Sequence, residues 1–509
     1  MNVIFISIDS LSRHWLRIYG QTADIPVETP NLDRFAQRAA IFDTHYAGSL
    51  PCMPARRELF AGIQEFLWRP WGPMEPFDTP LAFAARKAGT VTQLVTDHYH
   101  LFQHGSHGYF EDYQGFEFIR GHEFDAWKTS RNGVSDVLRA QVLAGKQLED
   151  TFDNGPTTRE GYVRNVASFQ SEADFFAPKV FARTAEWLRA NQDHRKSLLV
   201  VDSFDVHEPF HCPQPYASMF TNEDPNDPDL VVWPYYGRTD RGQSQLTPRQ
   251  VAFVRSQYAG KIAMVDRWFG MVLDLFDELR LWDTTMIVVT TDHGHYLGDH
   301  GWMGKPNAPL YNVLAHTPLF IWHPGTPMMG KRIQALTATV DLYATILEAL
   351  EGDIPRHVHS RSLLPLLRGE TDRHRDWALY GYWGSTVNVS DGHYTYLHPC
   401  RTDLPVNCYS TGMMNPFGWF AMPEVQREAE AGRFLPYTDS PVWRYPAMSY
   451  TRHSEPLLFD VQHDPLQEEN LAGQGHPDEA RMRDLLVAAL RELRAPTEQY
   501  ERLDLPSAS

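Results

Sequence analysis

VIFISID at residues 3–9 is a nearly continuous apolar run that ends in a carboxylate. Continuous rather than alternating apolar runs are typical of strands that are buried on both faces. We therefore predict an α/β fold with a large, mostly parallel central sheet flanked by helices. Four further runs of the same kind supply the other expected strands: VTQLV (91–95), SLLVV (197–201), MIVVTT (286–291) and PLFIW (318–322).

Amphipathic helical patterns lie between these strands and would cover the sheet. TPNLDRFAQRAA (29–40) has proline at its first helical position, and TVDLYATILEAL (339–350) has a similar apolar stripe. The longest pattern covers residues 247–279, and we expect Gly260 or Gly270 to break it.

The character of the sequence changes after about residue 375, where short alternating stretches rich in aromatic residues begin. We predict a catalytic α/β domain over residues 1–375 and a smaller C-terminal α+β domain with an antiparallel sheet over residues 376–509. A helix is expected near residues 477–494, and residues 400–450 read as a long irregular insertion whose role stays open. Such an insertion favours a homo-oligomer.

Composition excludes several classes of partner. The chain has 509 residues and a net charge of −18, so nucleic acid and anionic membrane surfaces are not expected to bind it. Its 42% of hydrophobic residues exclude wholesale disorder, yet no apolar run approaches the roughly 20 residues of a membrane helix. We expect a cytoplasmic protein for two reasons. The four cysteines show no CxxC spacing, and the first strand has neither a basic leader nor a cleavage site.

Carboxylates and imidazoles follow four of the predicted strands. Because ligands bind beyond the carboxyl ends of parallel strands, these clusters are expected to meet in one crevice. Taken singly, each histidine is more often a capping or core group. Asp9, Asp292 and His293 together offer oxygen and nitrogen ligands suited to Ca²⁺, Mg²⁺ or Mn²⁺. The four clusters are Asp9; Thr96, Asp97, His98 and His100; Asp202, Asp205 and His207; and Asp292 with His293.

The most specific motif is CMPAR at residues 52–56, which has the pattern CxPxR and opens a helix-forming stretch. A cysteine at a helix N-terminus experiences the helix dipole and free backbone N–H groups. Arg56, one turn later, could hold a neighbouring anion. The alternative is a buried cysteine beside a structural arginine.

With these motifs, the sequence resembles the type I sulfatases and the related phosphonate monoester hydrolases of the alkaline phosphatase superfamily. The resemblance covers nearly the whole chain, and its CxPxR and DHG…GDHG…GK elements are the specific ones. It is carried by Asp9, CMPAR (52–56), the histidines at 98–100, DVHEPF (205–210), TTDHGHYLGDHGWMGK (290–305) and LFDVQHDPLQEENLA (458–472).

The resemblance implies that a formylglycine-generating enzyme oxidises Cys52 to formylglycine, whose hydrated aldehyde is the nucleophile. It implies one divalent metal ion bound by Asp9, Asp292, His293 and the modified Cys52. Arg56 would hold the formylglycine in place.

The resemblance also assigns roles to four further side chains. His207 and Lys305 match the residues that contact the sulfuryl oxygens and help to protonate the leaving oxygen. His100 matches a histidine near the formylglycine hydroxyl that acts as a base, and His98 takes the place of a lysine that touches the sulfate. His295 and His300 are expected to be supporting or structural residues, and Cys212, Cys400 and Cys408 ordinary thiols.

Four departures from the arylsulfatase pattern affect these expectations. Ser10 replaces a second aspartate, and His293 stands where calcium arylsulfatases often have asparagine and phosphonate hydrolases have histidine. Imidazole favours Mn²⁺ over Ca²⁺, and Mg²⁺ stays open. Together with His98, these changes blur the boundary between sulfate and phosphonate substrates. Ala55 replaces the serine of CxPSR, and this change can affect how well the maturation enzyme recognises the site.

We therefore predict a sulfatase that hydrolyses small anionic esters, namely sulfate monoesters such as aryl sulfates. The alternative is a phosphonate monoester or phosphate diester hydrolase that uses the same site, and one pocket for monoanions could accept all three. A non-catalytic metal-binding scaffold with an unmodified Cys52 is the remote alternative. The natural substrate, metal identity and oligomeric state stay open at this point.

Overall fold

The computed structural model describes residues 1–103, 108–144, 159–240, 246–414 and 421–506. Within these residues, eight strands form the central sheet. In chain order they are Asn2–Ile8 (β1), Ala40–Phe42 (β2), Val91–Thr96 (β3), Gly115–Phe118 (β4), Ser197–Ser203 (β5), Thr285–Thr290 (β6), Leu319–Trp322 (β7) and Arg332–Ile333 (β8). Their order across the sheet is β8-β2-β7-β6-β1-β5-β3-β4.

The sheet is mostly parallel, as the sequence predicts. Strand β1 lies at its centre and pairs in parallel with β5 and β6, and β3 is parallel to both β5 and β4. Only β7 runs antiparallel to its neighbours β6 and β2 among these eight strands. The α/β fold class is therefore confirmed.

Two hydrophobic cores cover the two faces of this sheet, which explains why its strands read as continuous apolar runs. Val3 and Phe5 of β1 point into one core, and Ile4 and Ile6 into the other. The α-helices of the described chain are Pro30–Ala36, Cys52–Ala61, Leu81–Lys87, Asp136–Leu143, Arg159–Val166, Phe176–Ala190, Tyr216–Met219, Pro248–Leu279, Asn312–Ala315, Asp341–Ala349, Leu364–Leu367, Pro423–Arg427, Pro477–Glu492 and Thr497–Arg502. No helix of these residues is both long and apolar enough to span a bilayer.

The helix Pro248–Leu279 is unbroken, so the expected break at Gly260 or Gly270 is wrong. Both glycines serve close packing instead. A Cβ atom at Gly260 would lie 2.7 Å from the carbonyl oxygen of Tyr216, and one at Gly270 would collide with the side chain of Asn31. The backbone of Tyr216 therefore favours glycine at position 260, and the side chain of Asn31 favours it at position 270. The helix tolerates both glycines because one of its faces is buried along its length.

A second sheet has five strands, of which one edge strand comes from the N-terminal part of the chain and four come from residues after 375. Ser49–Leu50, immediately before Cys52, runs parallel to Ala378–Tyr382. The other neighbours are antiparallel, and the strands in order are Leu457–Asp460, Tyr394–His398, Val387–Ser390, Ala378–Tyr382 and Ser49–Leu50. The division of the chain at residue 375 remains a prediction.

Residues 400–450 are not wholly irregular, contrary to expectation. Val406–Ser410, Glu430–Gly432 and Val442–Ala447 form a three-stranded antiparallel sheet, and residues 415–420 lie outside the described chain. Prolines and short strand lengths hid this pattern in the sequence. The remaining short strands are His45–Tyr46, Gly237–Arg238, Tyr296–Leu297, Trp302–Gly304 and Thr337–Ala338.

Candidate active site

The acidic residues predicted to converge do so at the carboxyl edge of the central parallel strands. Asp9 follows β1 directly, Asp202 is the penultimate residue of β5, and Asp292 follows β6 by two positions. All three side chains are almost fully buried. Their shared location follows from the parallel pairing of β1 with β5 and β6.

Cys52 begins the helix Cys52–Ala61, which ends at Gly62 in the left-handed conformation, with φ of 69°. Its Sγ atom lies 3.2 Å from Nε2 of His293. Burial raises the pKa of the Cys52 thiol well above its ordinary value, and the charge of Asp9 raises it further. The thiol is therefore held neutral, whereas thiol-based catalysis needs a thiolate.

Arg56, one helical turn after Cys52, binds three buried carboxylates. Its Nε and Nη2 atoms each donate to Asp202 at 2.7 Å, and Nη1 donates to Asp292 at 2.7 Å. Asp9 Oδ2 lies 2.9 Å from Nη2. One guanidinium cannot neutralise three carboxylates. Burial raises the pKa of Asp202 to about 6, although the charge of Arg56 acts to lower that pKa.

Asp9, Cys52, Asp292 and His293 form a four-residue cluster whose ligand atoms all lie within 4.8 Å of one another. Burial acts to raise the pKa of Asp9, but Arg56 and other positive neighbours outweigh it and hold that pKa below its usual range. Oδ2 of Asp9 receives no well-aligned hydrogen bond. Excess buried negative charge and an unsatisfied carboxylate oxygen fit a divalent cation at this cluster.

Lys305 and His207 form a pair beside this cluster. Lys305 Nζ donates to His207 Nε2 at 2.8 Å, and His207 Nδ1 donates to the carbonyl oxygen of Glu208 at 2.7 Å. Burial lowers the pKa of His207 to about 4. Burial also acts to lower the pKa of Lys305, but Glu208 and the other acidic neighbours together outweigh it and hold that pKa well above its usual value. Lys305 is therefore the protonated member of the pair.

His98 and His100 lie side by side, with ring centroids 5.2 Å apart. His98 is buried, its Nε2 is 3.5 Å from Asp9 Oδ2, and neither ring nitrogen has a hydrogen-bond partner. The nitrogens of His100 contact Gln103 at 2.7 Å and Glu123 at 3.1 Å instead. His98 thus lies against the carboxylate cluster, whereas His100 is held by residues beside it.

Sequence reasoning missed several supporting side chains. Asp202 stood in a predicted strand-end cluster but was not assigned to Arg56. Glu208 accepts a hydrogen bond from His295 at 2.8 Å and lies 3.8 Å from Lys305, and its place in DVHEPF was the available signal. No sequence pattern indicated the contact between Glu123 and His100, because the two residues are distant in the chain and only the fold brings them together.

The residues expected to be ordinary are placed outside the cluster. His295 supports Glu208, and His300 stacks on Tyr311 with centroids 3.8 Å apart. Cys212, Cys400 and Cys408 are free thiols.

Comparison with known proteins shows which family the chain belongs to. Residues 1–352 match the family model described as Sulfatase. The multifunctional alkaline phosphatase superfamily protein PehA of Trinickia caryophylli is 26% identical over 425 residues, which cover 72% of this chain and 77% of that protein. An arylsulfatase of Clostridium perfringens is 23% identical over 417 residues, covering 77% and 83% respectively.

The same fold occurs in the phosphonate monoester hydrolase of Agrobacterium radiobacter, which superposes with a TM-score of 0.66 at 22% identity. That match covers 97% of this chain and 95% of the other. Fold and family match together define a protein of the alkaline phosphatase superfamily. Within it, the chain belongs to the sulfatase family, which is a family of hydrolases that act on sulfate esters.

Proposed function

We propose that this protein hydrolyses sulfate monoesters, with aryl sulfates as substrates, and that Cys52 acts after conversion to formylglycine. The observation that carries the proposal is the position of Cys52. It opens a buried helix, contacts His293 at 3.2 Å and shares the cluster of Asp9 and Asp292. The similarity to a bacterial arylsulfatase supports the choice of substrate.

The hydrated formylglycine would supply a hydroxyl nucleophile and a second hydroxyl whose deprotonation expels sulfate without attack by water. The chain's own residues prepare that position. Arg56 donates to the carbonyl oxygen of Cys52 at 3.3 Å and fixes the first helical turn. Burial lowers the pKa of His293, so its imidazole is neutral and can offer a ring nitrogen to a metal ion.

Asp9, Asp292, His293 and the modified Cys52 would hold one divalent ion, which would neutralise charge on the transferring group. Two carboxylates and an imidazole suit Mn²⁺ or Ca²⁺, with Mg²⁺ as a third choice. Arg56 contacts the same two carboxylates through Nη1 and Nη2. The cation and Arg56 together would balance the buried negative charge.

Lys305 and His207 are proposed to bind the sulfuryl oxygens and to protonate the leaving group. As the S–O bond to the leaving group breaks, that oxygen gains an electron pair and needs a proton. The Lys305 ammonium carries one and is 2.8 Å from neutral His207. Glu208, in turn, holds His295 and fixes the backbone next to His207. His98 would touch the sulfate, and His100 would act as the base near the nucleophile.

Replacing Lys305 with methionine should lower kcat by roughly 10²- to 10³-fold for a poor leaving group, because the proton donor is lost. The loss should be smaller for a 4-nitrophenyl ester, whose leaving oxygen needs little protonation. Steady-state kinetics on a series of aryl sulfates measure this slope. The exposed Lys87→Met is the control, and an equal loss across the series would contradict the assignment.

A phosphonate monoester or phosphate diester hydrolase with the same site is the second candidate. His293 and Ser10 favour it, since both depart from the arylsulfatase pattern. The similarity to PehA and the shared fold of a phosphonate monoester hydrolase are compatible with it. Comparing kcat/KM for 4-nitrophenyl sulfate and 4-nitrophenyl phenylphosphonate separates the two. Robust phosphonate turnover without detectable sulfate turnover would contradict the primary proposal.

Three further proposals accompany this function. A formylglycine-generating enzyme would act on CMPAR at residues 52–56, the protein would act in the cytoplasm, and it would form a homo-oligomer. The metal-binding scaffold remains the remote alternative, and it requires an unmodified Cys52.

A further inference from the structure

Among the residues that the structure describes, a second group of metal-binding side chains lies in the five-stranded sheet. It consists of His393, Asp460 and His463, and their ligand atoms all lie within 4.8 Å of one another. We infer that these three residues form a binding site for a borderline divalent cation, of which Zn²⁺ is the best match. This site is separate from the cluster around Cys52, and nothing in the proposed hydrolysis uses it.

The topology of the sheet brings the three residues together. His393 lies in the turn between Val387–Ser390 and Tyr394–His398, and Asp460 ends the strand paired with the latter. Tyr394 is opposite Asp460 in the register, so the turn that carries His393 lies at the end of the Asp460 strand. The chain then turns, and His463 follows three residues later.

Each carboxylate oxygen of Asp460 contacts a ring nitrogen of one of the two histidines. Nε2 of His393 is 3.1 Å from Oδ1 of Asp460, and Nδ1 of His463 is 2.9 Å from Oδ2. Two ligands at about 2.0 to 2.1 Å from a tetrahedral zinc ion lie roughly 3.3 Å apart. Since one ligand atom from each of the three residues lies within 4.8 Å of the others, small side-chain rotations would bring one Asp460 oxygen and both ring nitrogens around one ion.

The ligands are also held in place before any ion binds. Oδ1 of Asp460 accepts hydrogen bonds from the backbone N–H groups of Gln462 and His463, both at 3.2 Å. The His393 ring stacks on Tyr394 with centroids 4.4 Å apart. Its Nε2 atom is buried and makes no well-aligned hydrogen bond, so it is available to a cation.

The donor set decides the kind of ion. Two imidazoles and one carboxylate suit Zn²⁺ and related transition metals better than Ca²⁺ or Mg²⁺, which prefer oxygen ligands. The side chain of His463 is 80% exposed, and that of Asp460 is 19% exposed. An ion here could reach the site from solvent and keep a water molecule as its fourth ligand. It would tie the turn at His393 to the turn at His463.

The test is a zinc count on the full chain. Wild type, His463→Ala, His393→Ala and the control His194→Ala are stripped with a chelator, given excess ZnCl₂ and desalted. Native mass spectrometry then counts bound zinc. We expect one more zinc ion on wild type and on His194→Ala than on the other two variants. Zinc bound at the Cys52 cluster is common to all four proteins and cancels in the comparison.

Two further readouts make the result decisive. Zinc should raise the melting temperature of wild type and His194→Ala by more than that of His463→Ala and His393→Ala, because an additional ion that binds only the folded state stabilises it further. Sulfate-ester turnover should be unchanged in His463→Ala. Far-UV circular dichroism checks that each variant is folded. Equal zinc counts and equal thermal shifts in all four proteins would overturn the inference.

Discussion

Replacing Cys52 with alanine is expected to lower sulfate-ester turnover by roughly 10⁴- to 10⁶-fold, because the nucleophile is lost. The side chain is buried, and its Sγ atom contacts His293. The substitution removes only one small group next to Asp9 and Asp292, so the fold should stay intact. Steady-state kinetics with 4-nitrophenyl sulfate, together with circular dichroism, measure both consequences.

Cys400→Ala is the matched control, since Cys400 is also a free thiol but lies in the C-terminal part of the chain. It should keep wild-type turnover. The metal-scaffold alternative predicts that Cys52→Ala keeps its bound metal and its role. Turnover by Cys52→Ala within tenfold of the wild-type rate would contradict the assignment of the nucleophile.

Replacing Arg56 with alanine is expected to lower the free energy of unfolding by about 3 to 5 kcal/mol, because buried carboxylates lose their counter-charge. Arg56 contacts Asp9, Asp202 and Asp292 at 2.7 to 2.9 Å, and all four side chains are almost fully buried. Urea unfolding at neutral pH, with a chelator present, measures the loss. Turnover should fall as well, since the first turn of the helix loses its anchor.

Arg34→Ala controls for the loss of an arginine that pairs with aspartate at the surface. Arg34 contacts Asp274 at 2.8 Å, and the two side chains are 40% and 70% exposed. A change of less than about 1 kcal/mol is expected there. If Arg56→Ala unfolds at the same urea concentration as Arg34→Ala, the carboxylate cluster does not depend on Arg56.

The central sheet could be predicted because its physical cause is local. Strands buried on both faces must be apolar at consecutive positions, so VIFISI and MIVVTT could be predicted as strands from the sequence. Once the strands were parallel, their carboxyl ends had to share one edge. That step alone predicted that Asp9 and Asp292 would meet, which the structure confirms.

Other features depend on contacts between distant residues and left no local signal. Gly260 looked like a helix breaker, but its lack of a side chain allows the backbone of Tyr216 to approach. Arg56 was expected to hold one neighbouring anion, and it contacts three carboxylates from three strands. The role of His100 was assigned by resemblance alone, and its contact with Glu123, which is 23 residues away, could not be predicted from spacing.

Formylglycine formation is best tested by peptide mass spectrometry across the segment that contains Cys52. The protein would be produced in a host that carries a formylglycine-generating enzyme. Conversion of the thiol to an aldehyde lowers the mass of the peptide by about 18 Da. We predict this loss at Cys52 and not at Cys400. An unmodified Cys52, in a host whose enzyme converts a known substrate, would contradict the formylglycine mechanism and favour the metal-binding scaffold.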